Sequence, residues 1–351
     1  MDTIGPGTAV RITDHSAQPR DLLRALDTPL RQLRDAQQLP VVHLRRGWLH
    51  GSHLRVLVRS YPHRPPVLEE FTEQAGRAAA ALTAQPPTES DYLRRAEQLG
   101  RWENRREDPL PLHPHGHVES GPDEDAARFS APLLLTRDLM ADAYLDSVLD
   151  TAALPDEDLL PQLARILALV ARSHPQGYPV GTLALRSHVE GVCSATGNHT
   201  DLRAIYARRY RQDAERFTEA LTRPVDSALL AGWEKALTRI WGTAEAACAH
   251  GTLNEDAIHQ AVGPMEYPLG RPVRSEFIAA YLENRQAAEQ NYRQNAYRLL
   301  LNTLYPTLTC FGITPMQRYY LCYGIAEAAD ELTGATSVER MRARRSQLAA
   351  S

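Results

Sequence analysis

The sequence predicts an α+β protein, mainly helical, with a small antiparallel sheet near the N-terminus. Three observations carry this. Residues 8–14 alternate with the two-residue period of a strand, and two short β-branched runs at 41–46 and 53–60 flank the turn-rich stretch 47–52. Beyond residue 126 the apolar residues recur at helical spacing, interrupted by Gly and Pro.

Each element follows from local chemistry. After the first strand, Pro19 and Arg20 open a helix predicted to run to Leu39, with Leu22, Leu23, Leu26, Leu30 and Leu33 on one face and Pro40 as its stop. The two runs at 41–46 and 53–60 form a hairpin, and amphipathic helices are predicted at 67–82 and 88–106. Residues 107–126 hold four prolines and two glycines, which predicts an exposed loop or an irregular ordered strand. Helices are then predicted at 133–151, 157–174, 201–223, 226–249, 275–305, 314–333 and 336–349. The whole is expected to be one domain over 1–351: a sheet-and-helix part (1–106), a loop (107–126) and a helical part (127–351).

With 351 residues, 43% hydrophobic and 23% charged, the chain can bury a substantial core, and collagen, coiled-coil and disordered classes are excluded. The net charge of −4 conceals a strong division: +4 over residues 1–106, −11 over 107–160 and +3 over 161–351. Lys235 is the one lysine among 39 basic residues. Four widely spaced cysteines, Cys193, Cys248, Cys310 and Cys322, form no C-x-x-C pair. With no signal-peptide pattern and no apolar run near the roughly 20 residues that span a bilayer, a cytoplasmic protein that engages neither membrane nor nucleic acid is expected.

Several residue groups can carry chemistry. In the hairpin, Arg45 shares a strand face with His43, and His53, Arg55 and Arg59 share a face of the next strand. Such a surface suits a carboxylate, an acidic peptide or a phosphate; the alternative is a solvated sheet face. His113, His115 and His117 alternate around Pro114 and Gly116, but without a recognisable completing ligand the expectation is that no metal is bound. Residues 186–191, Arg-Ser-His-Val-Glu-Gly, are the densest in reactive groups. If helical, Arg186 and Glu190 are i,i+4 partners; the alternative is a capping box, with Ser187 at the N-cap and Glu190 at N3. Tyr292, Arg293, Tyr297 and Arg298 fall on one helix and Arg318, Tyr319, Tyr320 and Tyr323 on the next, as core edges or as lining of a pocket. Fingerprints for nucleotide binding, zinc proteolysis and the hydrolase elbow do not occur.

The hairpin Val41–Val58, with Arg45 closing one strand and His53-Leu54-Arg55-Val56-Leu57-Val58 forming the next, resembles the hairpin that begins the elimination domain of lantibiotic dehydratases and related stand-alone proteins of thiopeptide biosynthesis. Leu185–Glu190, Leu301–Leu304 and Gly312–Arg318 are similar to that family's later segments and occur in the same order. The departures are informative. Trp102–Pro109 stands where glutamate-eliminating members carry Arg-Tyr-Gly-Gly, Leu57 replaces the second arginine of His-Leu-Arg-x-Arg, and the histidine before the late asparagine–arginine pair is missing. The branch most resembled is therefore the pyridine synthase, a formal aza-[4+2] cyclase, and a separate tRNA-dependent glutamylation domain is not expected.

That resemblance implies a thiopeptide maturation enzyme with lyase-type leader elimination and no cofactor. Two dehydroalanines of a modified precursor peptide would join in a pyridine-centred macrocycle, with loss of water and of the leader as a carboxamide. Its partners would be an azole- and dehydroalanine-containing precursor and other maturation enzymes. The alternatives are a glutamate-eliminating split dehydratase and a non-catalytic peptide-binding module. Ser187, His188 and Glu190, then Tyr292, Tyr297 and Tyr319, are the candidate catalytic residues; Arg45, His53, Arg55, Arg186 and Arg298 would bind substrate. Arg24, Arg31 and Arg34 would hold an acidic leader.

Overall fold

The structure, a computed structural model, describes residues 7–16, 18–35, 41–59, 68–103, 106–123, 126, 129–195, 201–254, 256–258, 275–289 and 291–349. The contacts divide into two compact units, residues 1–153 with 303–313 and residues 154–302 with 314–351.

The first unit contains the sheet. Strands β1 (Thr8–Thr13), β2 (Val41–Gly47), β3 (His53–Arg59) and β4 (Val118–Pro122) are antiparallel in the order β2-β3-β1-β4. The hairpin forms as the sequence predicts, with Arg45 opposite Arg55 and Gly47 opposite His53. Within 107–126 the strand alternative holds for five residues: β4 pairs along the outer side of β1, Ile12 opposite Val118 and Thr8 opposite Pro122. Val10, Ile12, Leu44, Leu54, Val56 and Val58 are buried on one face of the sheet. Helix α3 (Glu69–Ala80) packs on β1 and buries Phe71, Ala75 and Ala79.

The single helix predicted from Pro19 is two, α1 (Pro19–Ala25) and α2 (Asp27–Asp35). Pro29 explains the break: its ring lacks an amide hydrogen and clashes with the carbonyl four residues back, at Ala25. The predicted stop at Leu39 and Pro40 lies outside the described residues. Helix α4 (Glu89–Glu103) follows, and α5 (Ala131–Ala143) and α6 (Leu145–Ala152) replace the one helix predicted at 133–151. Between them Tyr144 leaves helical geometry at φ −109°, and its buried hydroxyl donates to the Thr303 carbonyl at 3.0 Å.

The second unit is helical. It comprises α7 (Asp156–Arg172), α8 (Tyr178–Ala195), α9 (Leu202–Thr222), α10 (Ala228–Ala249), α11 (Glu276–Glu289), the first turns of α12 (Tyr292–Leu308), α13 (Pro315–Thr333) and α14 (Ser337–Ala349). The predicted 275–305 helix divides because Asn291 caps a new start, its side chain accepting from the amides of Arg293 (3.0 Å) and Gln294 (3.2 Å). Helix α7 is buried along Leu163, Ile166, Leu167 and Val170. Helix α8 approaches α7 at Gly181, where a methyl group would lie 2.1 Å from the Ala171 carbonyl oxygen. Thr314 and Gln317 form a reciprocal capping box at the start of α13. Among the described residues no helix is long and apolar enough to cross a membrane.

Candidate functional site

The alternation of β2 and β3 places His43, Arg45, Arg55 and Arg59 on one face of the sheet, and the register extends this into a transverse row, Arg45, Arg55, Arg11 and Glu119, across all four strands. Helix α5 packs over the β2 end, where His43, Arg45, Arg55 and Leu57 line a small recess with Leu134, Arg137 and Asp138. The arginines are largely matched by acids of the following segment. Asp123 accepts from Arg55 and Arg59, each at 2.7 Å; Asp138 accepts from Arg59 at 2.6 Å; Glu119 accepts from Arg11 at 3.1 Å. Arg45 reaches His43, Nε to Nε2, at 3.3 Å. Burial first, and then Arg45, Arg55 and Arg59, hold His43 well below its ordinary range.

His53 is buried, with Nδ1 2.9 Å from the Gly51 carbonyl, and burial draws its pKa down to about 4 against the opposing effect of that hydrogen bond. At neutral pH it is an uncharged, anchored ring.

Arg24, Arg31 and Arg34, expected to hold a leader, are engaged within the first unit. Arg24 donates to the Ala152 carbonyl at 2.8 Å and pairs with Asp21 at 3.1 Å. Arg31 joins Asp27 (3.0 Å), Asp146 (2.7 Å) and Asp150 (2.7 Å), and Arg34 joins Asp35 (3.0 Å) and Asp146 (2.6 Å). A leader carboxylate would have to displace these partners, so the reading of three open cations is corrected: the acidic segment supplies their counter-charge.

In the second unit Ser187–Glu190 lies in the middle of α8, so the cap alternative fails. The i,i+4 geometry brings Arg186 Nε to 3.1 Å from Glu190. Glu190 also accepts from Arg203 of α9 at 2.5 Å and from the Ser275 hydroxyl at 2.6 Å. Burial opposes ionisation of Glu190, but these donors and the Arg186 charge outweigh it and hold the carboxyl below its usual range. Arg186 pairs with Glu327 of α13 and lies 5.5 Å over the Tyr323 ring. A saturated, ionised carboxylate in such a network fastens helices and is poorly suited to donating a proton.

His188, partly buried beside Ser187, differs. Desolvation, with the Arg318 charge adding to it, draws its pKa down to about 3. It is therefore a neutral imidazole at physiological pH. Arg318 donates to the Tyr319 hydroxyl at 3.2 Å, and Tyr319 is close enough to Tyr206 of α9 to act on it electrostatically. Burial lifts the Tyr206 phenol to about 12, and its hydroxyl donates to the Met316 carbonyl at 3.3 Å. The structure thus groups His188, Arg318 and Tyr319 with Tyr206, which sequence reasoning passed over; its helical spacing resembled an ordinary core edge.

The remaining candidates lie apart from this group. Tyr297 is 1% exposed, and its hydroxyl is positioned to donate to the carbonyls of Val170 (3.1 Å) and Gly181 (3.2 Å). Its ring meets His174 edge-on at 4.9 Å, and burial pushes its pKa upward. Tyr297 is therefore a pin between α7, α8 and α12 rather than a surface for substrate. Arg298 is buried with its Nη1 3.5 Å from Asn295, and Tyr292 is exposed at the start of α12 beside Arg293.

No family model matches the chain, and no curated protein does. Solved structures do. The pyridine synthase TbtD from thiomuracin biosynthesis aligns with a TM-score of 0.68 at 21% identity, over 94% of this chain and 99% of that one. TsrL aligns with a TM-score of 0.57 at 17% identity, over 96% of this chain and 97% of its own. The small antiparallel sheet, the helices that follow it and the near-complete mutual coverage show that this chain shares its fold with the pyridine synthase TbtD and with TsrL.

Proposed function

We propose that this protein is a thiopeptide maturation enzyme that performs a formal aza-[4+2] cycloaddition between two dehydroalanines of a modified precursor peptide. The observation that carries this reading is the end-to-end correspondence with a pyridine synthase, 94% of one chain against 99% of the other. The departures from the glutamate-eliminating pattern, Leu57 and Trp102–Pro109 among them, favour cyclisation over elimination.

The chemistry asks for little beyond positioning and proton movement. An amide next to one dehydroalanine tautomerises to its iminol, giving a 2-azadiene. Addition across the second alkene closes a six-membered ring. Loss of the iminol oxygen as water, and of the leader as a carboxamide, then makes the ring a pyridine. Holding both alkenes together replaces a long-loop encounter by an effectively unimolecular one, which is where effective molarity contributes several kcal/mol.

His188 suits the proton transfers in this reading because it is neutral and can accept a proton from the amide before returning it to departing water. Arg318, with Tyr319 bound to it, stands beside His188 to polarise an amide carbonyl, and Ser187 supplies a neighbouring hydroxyl. Arg45 and Arg55, at the recess on the sheet, are assigned to backbone carbonyls of the peptide.

Incubating the protein with a precursor already carrying azoles and dehydroalanines, followed by mass spectrometry, tests the proposal. A macrocycle together with free leader carboxamide supports it; a precursor returned unchanged refutes it.

A further inference from the structure

The segment joining α4 to β4 uses its histidines in two opposite ways. His115 turns into the fold, where Nδ1 accepts from the His15 amide at 3.1 Å and Nε2 lies 2.8 Å from the Ala79 carbonyl. The backbone around it is tied down as well. The Gly116 amide donates to Thr13 at 2.9 Å, the Thr13 amide donates to His117 at 2.8 Å, and the His113 amide donates to His50 at 2.8 Å. Gly116 has φ +78°, a conformation that suits the residue reversing direction between two histidines.

His113 and His117, either side of this anchor, face each other instead. Their rings meet edge-to-face with centroids 4.4 Å apart. Glu119, two residues along β4 from His117, places Oε2 3.8 Å from His117 Nε2, while Arg11 holds Oε1 at 3.1 Å. One donor atom from each of His113, His117 and Glu119 lies within 4.8 Å of the other two. On the far side His50 stacks on the His113 ring at 5.3 Å.

We propose that His113, His117 and Glu119 bind a divalent transition-metal ion of the zinc class. Two imidazoles and one carboxylate are a borderline donor set that selects zinc and its neighbours over magnesium or calcium, and three protein ligands leave a coordination position for water. Tetrahedral zinc needs donors about 3.4 Å apart, so the three side chains close by rotation alone while the loop backbone, held by His115, stays in place. The Arg11 contact orients the carboxylate as an outer-shell partner does, turning Oε2 toward the histidines. Sequence spacing presents the three histidines as equivalent; the fold separates His115 as an anchor and supplies Glu119 as the ligand the sequence reading lacked.

The test uses the full-length chain stripped with EDTA, desalted and titrated with zinc sulfate by isothermal calorimetry, with cobalt(II) absorption as a probe of tetrahedral geometry. One ion per chain is expected. Affinity should fall roughly tenfold or more in both His117→Ala and Glu119→Gln, and metal-free melting curves should match the unsubstituted protein. No measurable zinc binding overturns the proposal, and so does equal affinity in both variants, which would move the ion to other histidines. Neither readout depends on cyclase activity.

Discussion

The His53 imidazole lies over the α-carbon of Gly47, its register partner across the hairpin, so closely that a methyl group at position 47 would stand 2.2 Å from Nε2. The ring cannot yield freely because Nδ1 is fastened to Gly51. Gly47→Ala should therefore destabilise the protein by about 1–3 kcal/mol through overpacking. In the His53→Ala background the same substitution should cost almost nothing. Urea midpoints of the four proteins in this cycle decide it, and a penalty that survives removal of the ring would place the cause elsewhere.

Stability should fall as the solution is acidified. His53 and His174 are held near 4 and His188 near 3, against an ordinary value of 6.5. The unfolded chain takes up protons below pH 6.5 that the folded chain refuses. Stability is thus fully present above pH 6.5 and is lost as the pH falls toward the folded values. For buried His53 the loss by pH 4 is about 3 kcal/mol at most. Denaturant midpoints between pH 7.5 and 4.5 should shift less in His53→Gln; an identical slope would show that His53 does not contribute.

Tyr297→Phe and His188→Ala should separate stability from turnover. Removing the Tyr297 hydroxyl takes the donor from two buried carbonyls and should cost about 1 kcal/mol, read as a lowered melting temperature. Macrocycle formation per folded molecule should stay at the level of the unsubstituted protein. His188→Ala should slow cyclisation on the order of 10²-fold with leader affinity retained, and Ser187→Ala should act in the same direction but more weakly. Mass-spectrometric rates and fluorescence anisotropy of labelled leader provide the two readouts.

Arg31→Ala should lower stability by about 1 kcal/mol or less, since its three ion pairs are partly exposed. Because those aspartates already occupy the guanidinium, leader affinity should change less than about twofold. A much larger loss of leader binding would return Arg31 to the role its sequence position first implied.

How much was legible in the sequence depended on the distance between partners. The hairpin 41–59 was readable because alternation and turn residues are local signals, and the Arg186–Glu190 pair because i,i+4 spacing is. Strand β4 was only half readable, since Val-Glu-Ser-Gly-Pro has little strand propensity and is held by the open side of β1, over a hundred residues earlier. Ser275, 85 residues from Glu190, left no trace in spacing at all. Helix breaks at Ala25 and Asn291 were missed because hydrophobic periodicity runs straight across them; Pro29 and the Asn291 cap were the available warnings.

The matching of early arginines by later acids bears on how the protein can be divided. Arg11 finds Glu119, Arg55 and Arg59 find Asp123 and Asp138, and Arg31 and Arg34 find Asp146 and Asp150. A fragment ending at residue 106 would keep the arginines, lose every one of these counter-charges and leave β1 without its outer neighbour. Even one extended to residue 153 would lack residues 303–313, which pack with the same unit. The N-terminal sheet is thus not a separable leader-binding module, and its folding awaits residues near the far end of the chain.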